Sequence, residues 1–204
     1  ALDVYKRQDN DSSFNGELIT MESGSNLTIN GGDTSVPHSE RVYTSTDRDA
    51  KASTWKDFHG GVLTGGASDN GAGGIHVKSS CTLTMNDVTL AGCRAHAPWY
   101  DSAGTNSAYG GGIWLAGGDT NLTLNNSTIT GCFAYYDGGG IFQSNHNNVR
   151  IELNDSHVDA NFAGNEGGGI DVDGEKITIK GKGKSTVNGN QSKNDGGGIY
   201  TVSY

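Results

Sequence analysis

The sequence predicts an all-β fold built as a parallel β-helix, a solenoid with three short strands in each coil of about 29 residues. The tripeptide Gly-Gly-Ile occurs five times, and the intervals between its isoleucines are 38, 28, 29 and 29 residues. A fixed period of about 20–50 residues is typical of repeat proteins whose units stack to bury a shared core. Each repeat also contains three short runs of alternating apolar residues, and no window has the 3.6-residue period of a helix.

The repeats favour parallel pairing between coils. Antiparallel hairpins would need turn pairs of the Asn-Gly kind at every reversal, and the sequence does not space them so. With one circuit per repeat, equivalent side chains stack about 4.8 Å apart in ladders. The first ladder comprises Ile75, Ile113, Ile141, Ile170 and Ile199. The second comprises Leu83, Leu122, either Val149 or Ile151, and Ile177, and the third comprises Leu63, Leu90, Ile129, Val158 and Val187.

Small and amide residues mark the corner after the third strand. Three residues beyond the third ladder stand Cys93, Cys132, Asn161 and Asn190, followed two residues later by Ala95, Ala134, Ala163 and Ser192. Stacked Asn side chains can hydrogen-bond along a ladder and satisfy backbone groups at a corner. The glycines before each isoleucine are expected to supply positive φ angles and close backbone approach at the next corner.

The domain prediction is one β-helix spanning residues 16–204, truncated at its C-terminal end. Its first coil covers residues 16–30, with Leu18 and Thr20 in the first strand and Leu27 and Ile29 in the second. Two surface insertions are expected, at about residues 31–59 and 97–108. Residues 1–15 are interpreted as a non-native or disordered leader. The strings at both ends resemble translated adapter sequence, so the chain is expected to be an internal fragment of metagenomic type.

Composition narrows the classes of partner. The net charge is −9 with only 14 Lys plus Arg, which argues against binding to nucleic acid or to anionic membrane surfaces. No apolar run approaches the roughly 20 residues that span a bilayer. The polar, Asn- and Thr-rich surface favours export to the cell surface or the extracellular space. Cys93 and Cys132 stack on adjacent coils, within disulfide range, and either a disulfide or a buried apolar cysteine ladder fits; Cys81 is expected to be a lone thiol.

The repeat pattern resembles that of right-handed parallel β-helix surface proteins. Its nearest likeness is to polymorphic outer-membrane proteins and autotransporter-type adhesins, whose repeats carry Phe-x-x-Asn and Gly-Gly-[Ala/Leu]-Ile elements. Val158–Asn161 and Gly168–Ile170 match those elements, whereas Cys93 and Cys132 replace the Asn in two repeats. The resemblance covers about residues 16–202 and implies a right-handed solenoid. It says little about chemistry, because the same fold carries adhesins, lyases and hydrolases.

A strip of outward residues in the first strand is the candidate ligand site. The residue after each ladder isoleucine points outward, which gives His76, Trp114, Phe142, Asp171 and Tyr200. Aromatic side chains there could stack against sugar rings, and Trp99 and Tyr100 emerge from the second insertion at the corner that feeds this strand. The candidate carbohydrate-binding residues are therefore Trp99, Tyr100, Trp114, Phe142 and Tyr200. The alternative is an aromatic ladder that only stabilises the sheet.

Catalytic and metal-binding alternatives rest on acidic residues. Asp171 and Asp173 lie two apart and point the same way, while His76 is three coils away, about 14 Å, which is too far for a shared proton relay. No Lys or Arg lies on this strand, and the Asn-Thr-Asp and Gly-His-Gly elements of related hydrolases are absent. Asp171 and Asp173 are weak candidates for Ca²⁺. Asp137, Glu166 and Asp195 recur before the glycines and are expected to fan outward as solvated groups.

The resulting functional prediction is an exported bacterial surface or secreted β-helix module. It would act as a structural stalk or adhesin, with an extracellular glycan or a host or cell surface as its partner. The prediction includes no catalytic residue and no required cofactor. The alternative is a fragment of a pectate-lyase-like or glycoside-hydrolase-like enzyme that degrades polysaccharides.

Overall fold

The protein is all-β. A computed structural model describes residues 5–6, 16–32, 35, 37–46, 53–96, 108–144 and 147–203. Throughout those ranges the ordered elements are short strands, which form four parallel sheets and one antiparallel pair, and no helix occurs. The described part of the chain accordingly holds no helix of the length and apolarity needed to cross a membrane.

Sheet I contains the strand that begins at each repeated isoleucine. Its six strands lie in sequence order, so each pairs in parallel with the strand of the next repeat. They are Ile19–Met21, Ile75–Val77, Ile113–Leu115, Ile141–Gln143, Ile170–Asp173 and Ile199–Val202. All five isoleucines of the first predicted ladder are in register, and Ile19 extends that ladder by one residue.

Sheet II follows sheet I in every repeat. Its strands are Asn26–Asn30, Thr82–Asn86, Asn121–Asn125, Arg150–Asn154 and Thr178–Lys182. Leu83, Leu122 and Ile151 are in register, so Ile151 rather than Val149 occupies the second ladder. The prediction of Ile177 is wrong, because Ile179 pairs with Ile151. Ile177 lies two residues earlier on the same face and packs against the core at a neighbouring position.

Sheet III and sheet IV complete each repeat. Sheet III contains Tyr5–Lys6, Gly61–Thr64, Val88–Ala91, Thr128–Thr130 and His157–Asp159. It holds Leu63, Leu90, Ile129 and Val158 in the predicted third ladder. Sheet IV contains the two-residue strands Ala67–Ser68, Arg94–Ala95, Phe133–Ala134, Phe162–Ala163 and Gln191–Ser192. The prediction of three strands per repeat therefore missed a fourth, short strand at the Cys/Asn corner.

The first repeat differs from its predicted register by one residue. Ile19 and Met21, rather than Leu18 and Thr20, align with Ile75 and Val77 of the next strand. Thr20 is exposed, and Leu18 is buried just before the strand starts. A one-residue shift exchanges the two faces of a strand, and here it places Met21 in the core.

The core lies between sheets I, II and III. Side chains from the three inner faces form one continuous buried cluster that runs through every repeat. Glycines at the corners let the backbones approach one another. Gly167 has a φ of +57°, and a Cβ at Gly140 would lie 2.6 Å from the carbonyl oxygen of Gly169. Both predicted uses of these glycines are therefore confirmed.

The corner ladder of Cys93, Cys132, Asn161 and Asn190 is internally hydrogen-bonded at its amide end. The side-chain oxygen Oδ1 of Asn161 accepts a hydrogen bond from the backbone N–H of Cys132 at 3.1 Å. Its side-chain Nδ2 donates to the backbone oxygen of Ile129 at 3.0 Å. Asn190 repeats the arrangement one strand further on. All three cysteines are free and buried, so the apolar ladder describes Cys93 and Cys132. Their mutual hydrogen bond and their burial raise the pKa of the Cys93 thiol well above its usual value.

The first predicted insertion contains an antiparallel pair, Pro37–Tyr43 with Ser53–His59. Its apolar side chains pack against the outer face of sheet III, where Val42 and Phe58 form a cluster with Val62 and Ala91. The backbone N–H of Tyr43 also donates to the Gly131 carbonyl at 2.9 Å. The insertion is thus docked onto the repeats. Most of the second insertion, residues 97–107, lies outside the described residues.

Candidate functional site

Two columns of side chains meet on the outside of sheet I. The outer column is the residue after each ladder isoleucine, and it is in register through His76, Trp114, Phe142, Asp171 and Tyr200. The corner column is the residue four before the isoleucine, and it consists of Tyr109, Asp137, Glu166 and Asp195. The first three corner residues each reach the outer residue of the following repeat, and the contacts below show this pair by pair.

The first part of this surface is aromatic. The His76 and Trp114 rings stack with their centroids 4.6 Å apart and their planes 10° apart. Tyr109 stacks on Phe142 with a centroid distance of 4.5 Å and lies 6.0 Å from Trp114. The indole N–H of Trp114 donates to the Ser144 hydroxyl at 3.3 Å. His76, Trp114 and Tyr109 keep part of their rings open to solvent.

The expectation of an exposed aromatic strip is wrong at Phe142. Its side chain is only 3% exposed, because the Tyr109 ring covers it. Trp114 and Tyr200 remain partly exposed, as predicted, whereas Trp99 and Tyr100 lie outside the described residues. Another aromatic is more open than any of these: Trp55 on the docked hairpin is 58% exposed.

The second part of the surface is acidic. One carboxylate oxygen from each of Asp137, Glu166 and Asp171 lies within 4.8 Å of the others. The Asp137 Oδ1 atom accepts from the Asn165 side-chain amide at 2.7 Å and from the Glu166 backbone N–H at 3.0 Å, which orients that carboxylate. The expectation that the acidic corner residues fan outward holds for exposed Asp195 but is wrong for Asp137 and Glu166, which are half-buried.

Asp171 is the most enclosed member of the group. Its side chain is 1% exposed, and its Oδ1 atom has no hydrogen-bond partner among the described residues. Burial, the nearby charges of Asp137, Asp173 and Glu166, and a hydrogen bond between the Asp171 and Asp173 carboxyls raise its pKa to about 8. The same crowding raises the pKa of Asp173 and of Glu166, in each case chiefly through burial. A carboxyl placed so is costly to ionise unless positive charge is close.

Tyr200 and Tyr109 border the carboxylates. A hydrogen bond from the Tyr200 hydroxyl reaches Glu166, although its effect on the Glu166 pKa is smaller than that of burial. Burial raises the pKa of Tyr109, and the charges of Asp137 and Tyr136 add to the effect. Both tyrosines therefore stay protonated and present hydroxyl donors beside an anionic group.

His76 has a separate partner. Its Nδ1 atom lies 2.8 Å from Glu17 Oε1, and the Thr20 hydroxyl donates to the other oxygen of Glu17 at 2.5 Å. The register keeps His76 three strands from Asp171 in sheet I. This register agrees with the predicted separation of the two residues by three coils.

The sequence pattern identified the outer column but not what lies over it. Of the two weak metal candidates, Asp171 and Asp173, only Asp171 belongs to the group of three carboxylates, which it forms with Asp137 and Glu166. Glu175, which follows them in sequence, is exposed, and its backbone N–H donates to Asn147. The signal for the larger group was present in the recurring acidic residue four positions before the isoleucine.

The surface thus combines open aromatic rings, hydroxyl donors and a compact set of carboxylates on one face of sheet I. No protein-family model, curated protein or solved structure matches the chain.

Proposed function

We propose that this chain is a right-handed parallel β-helix module of an exported bacterial surface or secreted protein, acting as a stalk or adhesin that binds an extracellular glycan. The solenoid is supported by the strand order, since four parallel sheets each take one strand from successive repeats. The likeness of Val158–Asn161 and Gly168–Ile170 to outer-membrane adhesin repeats supports the surface location.

The observation that carries glycan binding is the partly open Trp114 ring. It contacts the His76 and Tyr109 rings, and Tyr200 lies in the same outer column three strands further on. An aromatic ring offers an apolar platform for the C–H face of a sugar, and adjoining polar groups can bond its hydroxyls. The acidic neighbours favour a neutral or cationic sugar over a uronic acid, because like charges repel.

The test is a glycan array probed with the purified chain, followed by titration of the best ligand. Trp114→Ala is expected to weaken binding about tenfold, since an aromatic contact contributes roughly 0.5–1.5 kcal/mol beyond its buried area and 1.4 kcal/mol corresponds to tenfold. Trp55→Ala is the matched control, because it removes an exposed tryptophan from the hairpin and should leave the affinity unchanged.

Two results would contradict the proposal. One is an array on which the wild-type chain binds no glycan, or binds one with the same affinity after Trp114→Ala. The other is release of reducing or unsaturated sugar ends from the bound polysaccharide, which would support the enzyme alternative.

A further inference from the structure

We propose that Asp137, Glu166 and Asp171 bind one divalent cation, with Ca²⁺ the fitting ion. The site goes beyond glycan binding and does not depend on it. It rests on the spacing of three carboxylate oxygens and on a buried oxygen that has no partner.

The pairing of the two columns creates a position that suits a cation. Tyr109 meets Phe142 ring to ring, and Glu166 accepts a hydrogen bond from Tyr200. Both contacts are favourable. Between them, Asp137 meets Asp171, so two acidic side chains occupy a position where the neighbouring repeats have complementary pairs. Like charges at such spacing repel by an amount that grows as water is excluded.

The buried oxygen is the second, independent observation. Asp171 Oδ1 lies in a side chain that is 1% exposed, and no hydrogen-bond donor among the described residues reaches it. A buried polar atom without a partner costs roughly 1–3 kcal/mol, and more when it carries charge. Asp171 also directs a carboxylate oxygen to within 4.8 Å of Asp137 and Glu166. A bound cation would satisfy the Asp171 carboxylate and offset the repulsion together.

The ligand chemistry selects the ion. The three side chains offer only oxygen atoms, which suits hard cations and not metals that prefer nitrogen or sulfur. Oxygens bound to one Ca²⁺ at 2.3–2.6 Å lie up to about 5 Å apart, which matches this spread. Mg²⁺ requires tighter, near-octahedral geometry. Asp137 and Glu166 are half-buried, so water can reach the site and complete the shell. With three protein ligands, we expect a Kd of about 0.1–1 mM, as in extracellular calcium modules.

The experiment is a titration of the EDTA-treated chain with Tb³⁺, which replaces Ca²⁺ and emits when excited through nearby tyrosines such as Tyr109 and Tyr200. We expect emission that saturates at one ion per chain, that Ca²⁺ displaces, and that Mg²⁺ at equal concentration displaces at least tenfold less well. Asp171→Asn is expected to abolish the Tb³⁺ emission. Asp119→Asn removes the same charge from an exposed residue beside sheet II and should leave it unchanged.

A second measurement separates loss of the site from loss of the fold. Because Asp171→Asn removes a like charge, the variant is expected to melt in EDTA at a temperature no lower than the wild type. Ca²⁺ at millimolar concentration should raise the Tm of the wild type but not of the variant. If Asp171→Asn unfolds, half-buried Asp137→Asn is used in its place, with the same expectations. Emission that survives these variants, or a wild-type Tm that Ca²⁺ leaves unchanged, would overturn the proposal.

Discussion

Single residues hold the corners of this molecule through hydrogen bonds that run from repeat to repeat. Asn161 is fully buried, and its side-chain amide bonds to two backbone groups of the preceding repeat, at Cys132 and Ile129. In the preceding repeats a cysteine stands at the same position, and its sulfur makes long contacts with backbone oxygens, 3.7 Å from Cys93 to Ala91 and 3.5 Å from Cys132 to Thr130. The amide end of this ladder is therefore held by stronger contacts than the thiol end.

Asn161→Ala tests that role. The substitution leaves the Cys132 N–H and the Ile129 carbonyl without their side-chain partner in a buried place. The free energy of unfolding is expected to fall by at least about 1–3 kcal/mol. Urea denaturation provides the measurement, with exposed Asn194→Ala as a control expected to change stability by less than about 0.5 kcal/mol. Equal losses of stability in the two variants would show that Asn161 does not have this structural role.

A pH dependence is expected at Glu17. Burial alone would raise its pKa, but hydrogen bonds from His76 and Thr20 outweigh burial and lower the pKa below 4.5. A carboxyl whose pKa is lowered by folding stabilises the fold at pH values above its ordinary pKa. That contribution is lost as the pH falls through the folded-state pKa. Glu17→Gln should therefore lose less stability than the wild type as the pH drops below 4.5. Parallel stability curves for the two proteins would contradict this.

The strands illustrate what a sequence period can and cannot predict. The isoleucine ladder of sheet I was predictable because each isoleucine follows a glycine corner at a nearly constant spacing. The second ladder was predictable only in part, because the connection from sheet I to sheet II varies in length: Leu83 and Leu122 are in register, but Ile177 is not. Ile177 and Ile179 are two apart and share a face, so alternation alone cannot choose between them. The short strands of sheet IV are two residues long, below what alternation can reveal.

The site was predictable in one column only. Alternation within a strand placed Trp114, Phe142 and Asp171 outward. The corner column approaches them through a turn at a positive-φ glycine, such as Gly167. Its residues recur in the sequence, but the recurrence does not show which outer residue each of them contacts. For this reason the cover of Tyr109 on Phe142 and the meeting of Asp137 with Asp171 emerged only from the structure.

Gly167→Ala tests the turn that brings the columns together. A Cβ there would overlap the Asp171 side chain, whereas a Cβ at Gly24 has nothing within 4 Å. Both glycines have positive φ, so Gly24→Ala isolates the backbone cost of about 1–2 kcal/mol. We expect Gly167→Ala to lower the free energy of unfolding by about 1–3 kcal/mol more than Gly24→Ala. Equal losses of unfolding free energy in the two variants, measured by chemical denaturation, would show that the structure accommodates the added Cβ beside Asp171.

Across the whole molecule, one structural rule organises both the core and the surface. Each repeat adds one strand to each of the sheets, so residues one repeat apart in sequence, which is 28 or 29 positions in the later repeats, become neighbours in space. The inward positions repeat nearly the same apolar residue, whereas the outward positions along sheet I include both aromatic and acidic residues. The binding proposals depend on that stacking, because it brings together side chains that are distant in the chain.

The most direct test of this stacking is a pulsed electron–electron distance between spin labels at Thr28→Cys and Lys180→Cys. Both residues are exposed on sheet II and lie four strand steps apart in register, through Thr84, Thr123 and Glu152. The native cysteines are 0% exposed and should not be labelled. At about 4.8 Å per step, we predict a narrow distribution centred near 19 Å. A broad distribution, or one centred well beyond about 30 Å, would contradict in-register stacking and with it the arrangement of the proposed sites.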